Sequence, residues 1–141
     1  MRTAERSRSA RRSSVLVAYD GSPEAQRALE HAIGLIEPGA RLTIINVIPV
    51  QAVSSRPQTI SDERRESQDK LLRGAQRLLA RRGIKARVVD AVGDPLTEIL
   101  ATAEELDAGT LVAGRRLGRH LHGSLGDRLV KRARCDVLIV H

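Results

Sequence analysis

Short, mostly apolar runs recur along this chain, and stretches with helical periodicity join them. The runs lie at residues 15–19, 41–48, 110–113 and 137–140. Strands that are apolar at successive positions, without alternating polar residues, are typical of a parallel sheet covered by helices on both faces. A fifth stretch, residues 84–92, is interrupted by three charged residues, so we expect it at the edge of the sheet.

The residues that follow these strands have the chemistry of helix starts. Ser22 can cap the first helix, and Pro23 takes its first turn, where the missing N–H of proline costs nothing. Asp94 and Pro95 repeat this arrangement, so we assign Asp94 to capping rather than to acid–base chemistry. Amphipathic patterns predict the remaining two helices at residues 61–82 and 126–133. The order of elements predicts an α/β fold, an open and mostly parallel five-stranded sheet with right-handed crossovers.

Size and charge divide the chain into two parts. Its 141 residues suit one globular domain, which we place at residues 14–141. Residues 1–13 are predicted to be a disordered basic tail, since the first fourteen residues supply +4 of the formal charge of +7. Non-specific attraction of this tail to phosphates remains an alternative role. Tyr19 is the only aromatic residue, which disfavours modules that stack bases on rings, so no specific nucleic acid is expected.

The cysteine content and the hydropathy pattern bear on location. Cys135 is the only cysteine and cannot form an internal disulfide, and it lies directly before an apolar run. A reduced, partly buried thiol in the cytoplasm is the ordinary expectation for such a residue. No run of 18 apolar residues is present, so no membrane span is predicted.

The carboxyl ends of the strands are the expected place for a ligand. Open parallel sheets bind ligands there, where the strand order reverses, and we expect the first and fourth strands to be neighbours at that point. Asp20 follows the first strand. Because Ser22 already caps the helix, the Asp20 carboxylate has no evident structural role, which favours a ligand contact. An Asx turn is the alternative role for Asp20.

The segment after the fourth strand, residues 114–124, combines glycines with arginines. Small residues let a backbone approach a phosphate, and the free N–H groups at a helix start form an anion site. Arg115, Arg116 and Arg119 are the candidates for neutralising phosphate charge. Alternatively, the glycines only permit a tight turn and the arginines are solvated.

Several motifs, taken in order, resemble the universal stress protein family. They are Val15–Ser22, Asn46-Val47, Val92–Pro95, Ala103–Gly114, Gly123-Ser124 and Cys135–Val140, and they extend over nearly all of residues 14–141. The resemblance implies a five-stranded parallel sheet in the order 3-2-1-4-5. It also implies a homodimer formed through the last strand, here residues 137–140.

The resemblance further implies a set of contacts to ATP, as in the nucleotide-binding members of that family. Asp20 would contact the nucleoside and the Val47 backbone would contact adenine. The phosphate contacts would come from Gly114, Gly118, Gly123 and Ser124.

The phosphate loop departs from the family pattern Gly-x2-Gly-x9-Gly-Ser/Thr. Leu117 stands where the second glycine is expected, and only five residues, 118–122, lie where nine are expected. Taking Gly118 as the middle glycine keeps a small residue there, but the loop is still four residues short. Less chain is therefore available to wrap a triphosphate.

The motifs of common nucleotide-dependent and hydrolytic enzymes are incomplete or missing in this sequence. Neither a P-loop nor a dinucleotide-binding glycine motif follows the first strand. Residues 122–126 approach a nucleophile elbow but lack its first glycine. His120 and His122 have no Cys or carboxylate cluster at ligand spacing, so no metal site is predicted.

The sequence therefore predicts a regulatory protein that binds an adenine nucleotide, ATP with or without Mg²⁺, and we assign no catalytic residue. A dimeric stress-response interaction protein that has lost nucleotide binding, with its phosphate loop shortened, is the alternative. No membrane partner is expected for either.

Overall fold

The computed structural model describes residues 13–50, 60–115 and 125–141. Its strands are β1 (Ser14–Ala18), β2 (Arg41–Pro49), β3 (Ala86–Gly93), β4 (Thr110–Gly114) and β5 (Asp136–Val140). Its helices are α1 (Pro23–Leu35), α2 (Asp62–Arg81), α3 (Pro95–Glu105) and α4 (Leu125–Arg132). The predicted basic tail lies outside the described residues, apart from Ser13.

The five strands form one parallel sheet in the order β3-β2-β1-β4-β5. The predicted α/β class and strand order are confirmed, as are the pairing of the first and fourth strands and the edge position of the third. All five residues of β1 and of β4 are buried, whereas β3 has exposed positions. The apolar runs at residues 15–19 and 110–113 therefore mark the centre of the sheet, whereas the run at residues 137–140 lies in the edge strand β5.

Two hydrophobic cores lie on opposite faces of the sheet. On one face α1 and α2 pack against the sheet, with Leu29 and Leu79 among the fully buried side chains. On the other face α3 and α4 do the same, through residues such as Ile99 and Leu129. With one tyrosine and no other aromatic residue, the interior is built from aliphatic side chains and alanine.

The predicted helix caps are confirmed. The N–H of Ala25 donates to Ser22 Oγ (3.1 Å), and the N–H of Thr97 donates to Asp94 Oδ2 (3.0 Å). Each bond satisfies one of the amide groups that a helix start leaves without an intrahelical partner. Within the described ranges, none of the helices has the length and apolarity needed to cross a bilayer.

Some predicted boundaries were wrong by one or two residues. The third strand begins at Ala86 rather than at Ile84, because the N–H of Ile84 donates to Leu79 O (2.9 Å) and closes the end of α2. Gly83 has a positive φ of 76° in this turn, a conformation that glycine adopts without strain. β1 ends at Ala18 instead of Tyr19.

Candidate functional site

A pocket of about 560 Å³ opens at the carboxyl ends of β1 and β2, beside α2. It is lined by Asp20, Asn46, Val47, Ile48, Pro49, Glu63, Arg64, Ser67, Gln68 and Leu71. The fold thus brings Asp20 and Val47, separated by 26 residues in sequence, to one cavity. A volume of this size falls within the range of about 300–1,000 Å³ that small-molecule sites occupy.

Another cavity, of about 600 Å³, lies between α3 and the connection from α4 to β5. Its lining includes Asp107 and Ala108, which precede β4, and Cys135, which precedes β5. It therefore opens at the amino ends of these strands. Because open α/β sheets bind their ligands at the carboxyl ends, we take the pocket beside Asp20 as the functional candidate.

Asp20 is exposed at the turn between β1 and α1. The N–H of Ser22 donates to Asp20 Oδ1 (2.9 Å), which forms an Asx turn. The interpretation that Asp20 has no structural role was therefore wrong, because its carboxylate holds the turn that places Ser22 at the helix cap. This bond uses Oδ1, and a carboxylate has a second oxygen that can accept from a ligand.

Gly21, the next residue, brings this turn against α2. It has a positive φ of 79°, and a Cβ built on it would lie 2.6 Å from Leu71 Cδ1. Leu71 also lines the pocket. The absence of a side chain at Gly21 therefore lets the turn and α2 approach each other at the wall of the cavity.

Val47 lies in a part of β2 that extends beyond β1. The last residue pair between the two strands is Ala18 with Ile45, whereas β2 and β3 continue together to Pro49. The N–H of Tyr19 donates to Ile45 O (2.9 Å). Alternate residues of a strand direct their backbone groups to the same side, so the N–H and C=O of Val47 point toward the edge that β1 has left.

The side chain of Val47 supports this arrangement. It packs into the core formed with α3 and α4, on the face of the sheet opposite α2. The backbone N–H and C=O are therefore the groups that Val47 offers to a ligand at this edge. One donor and one acceptor, held by a strand, can recognise the edge of a heterocyclic base.

The buried amide of Gln68 and the half-buried amide of Asn46 form a network behind the pocket. Gln68 Nε2 donates to Asn46 O (2.9 Å), Asn46 Oδ1 (3.1 Å) and Ala91 O (2.9 Å). Asn46 Nδ2 donates to Tyr19 O (2.8 Å). Gln68 is not among the site residues predicted from the sequence. The available signal was a polar residue on the same helical face as Leu72 and Ala75, four and seven residues further along.

Charged groups of α2 line the outer part of the pocket. Arg64 Nη2 lies 3.5 Å from Pro49 O, so this side chain reaches from α2 to the end of β2. Glu63 and Asp20 line the same cavity with acidic groups. The nucleoside part of a ligand would therefore meet both signs of charge.

Gly114, at the end of β4, is packed against the start of α1. A Cβ built on Gly114 would lie 2.9 Å from the Glu24 backbone carbon and 3.0 Å from the Ala25 nitrogen. Backbone atoms cannot move aside as a flexible side chain can, so this position requires glycine for packing. The predicted phosphate contact of Gly114 stays a prediction beside this structural role.

Arg115 lies on the β5 side of β4. Its N–H donates to Val140 O (2.7 Å), and its Nη1 lies 3.1 Å from Nδ1 of His141. The other predicted phosphate-loop residues lie outside the described residues. They are Arg116, Gly118, Arg119, Gly123 and Ser124.

Four titratable side chains among the described residues have shifted pKa values, one of them Arg82, whose pKa is raised by its hydrogen bond to Glu30 far from the pocket. Hydrogen bonds from the Thr97 hydroxyl (2.7 Å) and N–H lower the pKa of Asp94, consistent with a cap rather than a proton donor. Burial raises the pKa of Tyr19, and the neighbouring Asp20 charge adds to this. Burial also raises the pKa of the Cys135 thiol. Across residues 13–50, 60–115 and 125–141, no three His, Cys, Asp or Glu side chains cluster as metal ligands would.

Comparison with known proteins agrees with this architecture. The sequence matches the profile of the Universal stress protein family over residues 12–141. A curated relative from Staphylococcus aureus (strain USA300), whose name places it in the same family, is 30% identical in an alignment of 136 residues that covers 89% of this chain and 82% of the relative.

Solved structures of the same family are also similar. A protein of the universal stress protein family from Burkholderia pseudomallei is 30% identical, with a TM-score of 0.72, over 92% of this chain and 96% of that protein. A universal stress protein solved in complex with cAMP is 28% identical, with a TM-score of 0.69, over 91% of this chain and 96% of that protein. From the match over residues 12–141 and these relatives, the chain belongs to the universal stress protein family.

Proposed function

We propose that this protein binds an adenine nucleotide, ATP with or without Mg²⁺, as a regulatory ligand that it does not turn over. The observation that carries the proposal is the pocket of about 560 Å³ that Asp20 and Val47 both line. The relative solved with cAMP, at 28% identity, supports an adenine nucleotide as the ligand class.

The proposed roles follow from the positions of the groups. The backbone N–H and C=O of Val47 would pair with the edge of adenine. Asp20 would accept a hydrogen bond from a ribose hydroxyl through the oxygen that the Asx turn leaves over. Gly114 and the residues of the loop, Gly118, Gly123 and Ser124, would approach the phosphates. The loop arginines, Arg115, Arg116 and Arg119, would neutralise phosphate charge.

Calorimetric titration of nucleotide-stripped protein with Mg²⁺ and ATP tests the proposal. The Asx turn makes Asp20→Asn a sharper variant than Asp20→Ala, since an asparagine oxygen still accepts from Ser22 N–H while the charge is removed. We expect saturable heat for the native chain. In Asp20→Asn we expect about tenfold or greater loss of affinity, because a hydrogen bond to a charged group contributes about 1.5–3 kcal/mol.

The stability of the two variants separates ligand binding from folding. Asp20→Asn should have the same unfolding temperature as the native chain. Asp20→Ala should lose both the turn and the ligand contact. Absence of heat, together with absence of thermal stabilisation at millimolar nucleotide, would overturn the proposal. Release of phosphate at more than a trace rate would contradict the regulatory role.

The alternative function is a dimeric interaction protein that does not bind nucleotide. The shortened loop at residues 114–124 favours it, since four residues of the family pattern are missing there. The same titration decides between the two. For both functions we propose a homodimer through β5 and a cytoplasmic location, the latter because Cys135 has no second cysteine to pair with.

A further inference from the structure

Gln68 is a buried amide whose nitrogen joins two strands and one side chain. Its side chain is only 6% exposed, and Nε2 lies 2.9–3.1 Å from three oxygens of Asn46 and Ala91. The nitrogen carries two hydrogens, so at least one is shared between two acceptors. Such a contact has little freedom, because movement of α2, β2 or β3 relative to the others lengthens at least one of the bonds.

The network continues from Gln68 to the turn that carries Asp20. Asn46 receives the Gln68 bond at Oδ1 and donates from Nδ2 to Tyr19 O, the residue before Asp20. The Asn46 side chain thus links β1 to β2 at the point where their residue pairing ends. Asp20 directly follows Tyr19 in sequence, and Val47 directly follows Asn46. Both residues of the proposed nucleoside site are therefore next to a residue of this hydrogen-bond network and depend on it.

We infer that Gln68 is a positioning residue for base recognition, which holds the Val47 backbone at the spacing that adenine requires. The inference rests on the proposed nucleotide binding. Adenine presents an adjacent N6–H donor and N1 acceptor, and guanine presents the reverse order, an O6 acceptor and an N1–H donor. A fixed N–H and C=O pair at Val47 therefore discriminates between the two bases only while its position is held.

The chain contains a matched control on the same helix. Gln76, eight residues after Gln68, also donates from Nε2 to a carbonyl of β3, Ala86 O (2.9 Å). Ala86 is the first residue of β3, whereas Ala91 is near its carboxyl end. A Gln76 variant thus loses the same kind of helix-to-strand bond at the amino end of β3, which is the end away from the pocket.

The experiment compares Gln68→Met with Gln76→Met, since methionine keeps the length of the side chain and removes the donor. Calorimetry with Mg²⁺ and either ATP or GTP gives affinity and base preference. Amide hydrogen exchange of residues 46–48 in the ligand-free protein reports the mobility of the β2 extension. Thermal unfolding gives the stability of both variants.

We expect Gln68→Met to weaken ATP binding by about tenfold, as for loss of one buried hydrogen bond of about 1.4 kcal/mol, and to lower the ratio of ATP to GTP affinity. Exchange at residues 46–48 should become faster. Gln76→Met should lose thermal stability but keep affinity and base preference within about twofold of the native chain. A purely structural role for Gln68 would lower stability without changing base preference.

The outcomes distinguish the inference from the proposed function. If the native chain binds ATP and Gln68→Met keeps its affinity and base preference, the inference is overturned and the proposed function stands. If the native chain binds no nucleotide, both are overturned.

If Gln68→Met does not fold, Gln68→Glu replaces it, because a carboxyl group donates to these oxygens only when protonated. The measured quantity is the ATP affinity of Gln68→Glu relative to that of the native chain, with Gln76→Glu as the control. A relative affinity that rises between pH 7 and pH 5 for Gln68→Glu alone supports the inference, and a relative affinity that does not change with pH overturns it.

Discussion

Gly114 is the last residue of β4, and its Cα lies against the first turn of α1. Gly114→Ala should lower the free energy of unfolding by about 1–3 kcal/mol, because the new methyl group meets the backbone of Glu24 and Ala25, which cannot move aside. Urea unfolding measures the change.

Gly34 provides the control for this substitution. It lies in α1, and a Cβ built on it meets nothing within 4 Å. Gly34→Ala should raise stability by about 0.5–1 kcal/mol, as alanine does in helices. Equal stability of Gly114→Ala and the native chain would show that β4 and α1 can separate, and the packing explanation for this glycine would be wrong.

Asp94 gives a prediction for the pH dependence of stability. Bonds from the Thr97 hydroxyl and N–H lower the pKa of Asp94 in the folded state. The folded chain therefore binds this proton less readily than the unfolded chain does. The stabilisation by the charged cap is complete above the unfolded pKa of about 3.9 and is lost as pH falls through the lower folded pKa.

Asp94→Asn isolates this effect, since asparagine also caps helices but carries no charge. The native chain should be more stable than Asp94→Asn at pH 6, and the difference should shrink between pH 5 and pH 2. Urea unfolding at several pH values measures it. A difference that stays constant, or grows on acidification, contradicts the role of the charge.

The two edges of β5 face different surroundings. The N–H of Arg115 donates to Val140 O, and the N–H of Asp136 donates to Gly109 O (3.3 Å). Even-numbered residues of β5 thus direct their backbone groups toward the interior of the sheet, and odd-numbered residues direct theirs outward. The outward row is what a second copy would pair with in the proposed homodimer.

Proline substitutions at adjacent positions test this pairing. Val137→Pro removes an outward N–H and should convert the dimer to a monomer in sedimentation experiments, with the fold retained. Leu138→Pro removes an N–H directed toward β4 and should destabilise the monomer itself by about 3 kcal/mol or more. A monomeric native chain at high concentration, or a Val137→Pro variant that still dimerises, contradicts the proposed interface.

The fold of the whole molecule was predictable because the sequence patterns that specify its strands and helices are local. Apolar runs, capping residues and glycines at helix ends each act within a few positions, and their order leaves few topologies. The carboxyl ends of parallel strands predicted a ligand site after the first and fourth strands, with Asp20 beside it, whereas Val47 of the second strand was implied only by the family resemblance. The helical pattern marks Gln68 as a polar residue on a buried face, but its hydrogen-bond partners and the packing of Gly114 depend on contacts between distant segments, which no local pattern specifies.

A ligand that binds only the folded state stabilises the entire chain against unfolding. At a concentration one hundred times Kd the gain is about 2.7 kcal/mol. The loop at residues 114–124 is four residues shorter than the family pattern, so it has less chain to contact the β- and γ-phosphates. Most of the binding free energy should then come from the nucleoside pocket beside Asp20 and Val47.

AMP, ADP and ATP should therefore raise the Tm by amounts within about 4 °C of one another at equal millimolar concentrations, a spread of about 1 kcal/mol for a chain of this size. Thermal unfolding with each nucleotide measures the shifts, and the Asp20→Asn variant should show smaller shifts with all three. If ATP raises the Tm far more than AMP does, the short loop holds a triphosphate in spite of its length. The four residues that the loop lacks would then be dispensable for phosphate binding. The short loop would no longer favour an interaction protein that does not bind nucleotide.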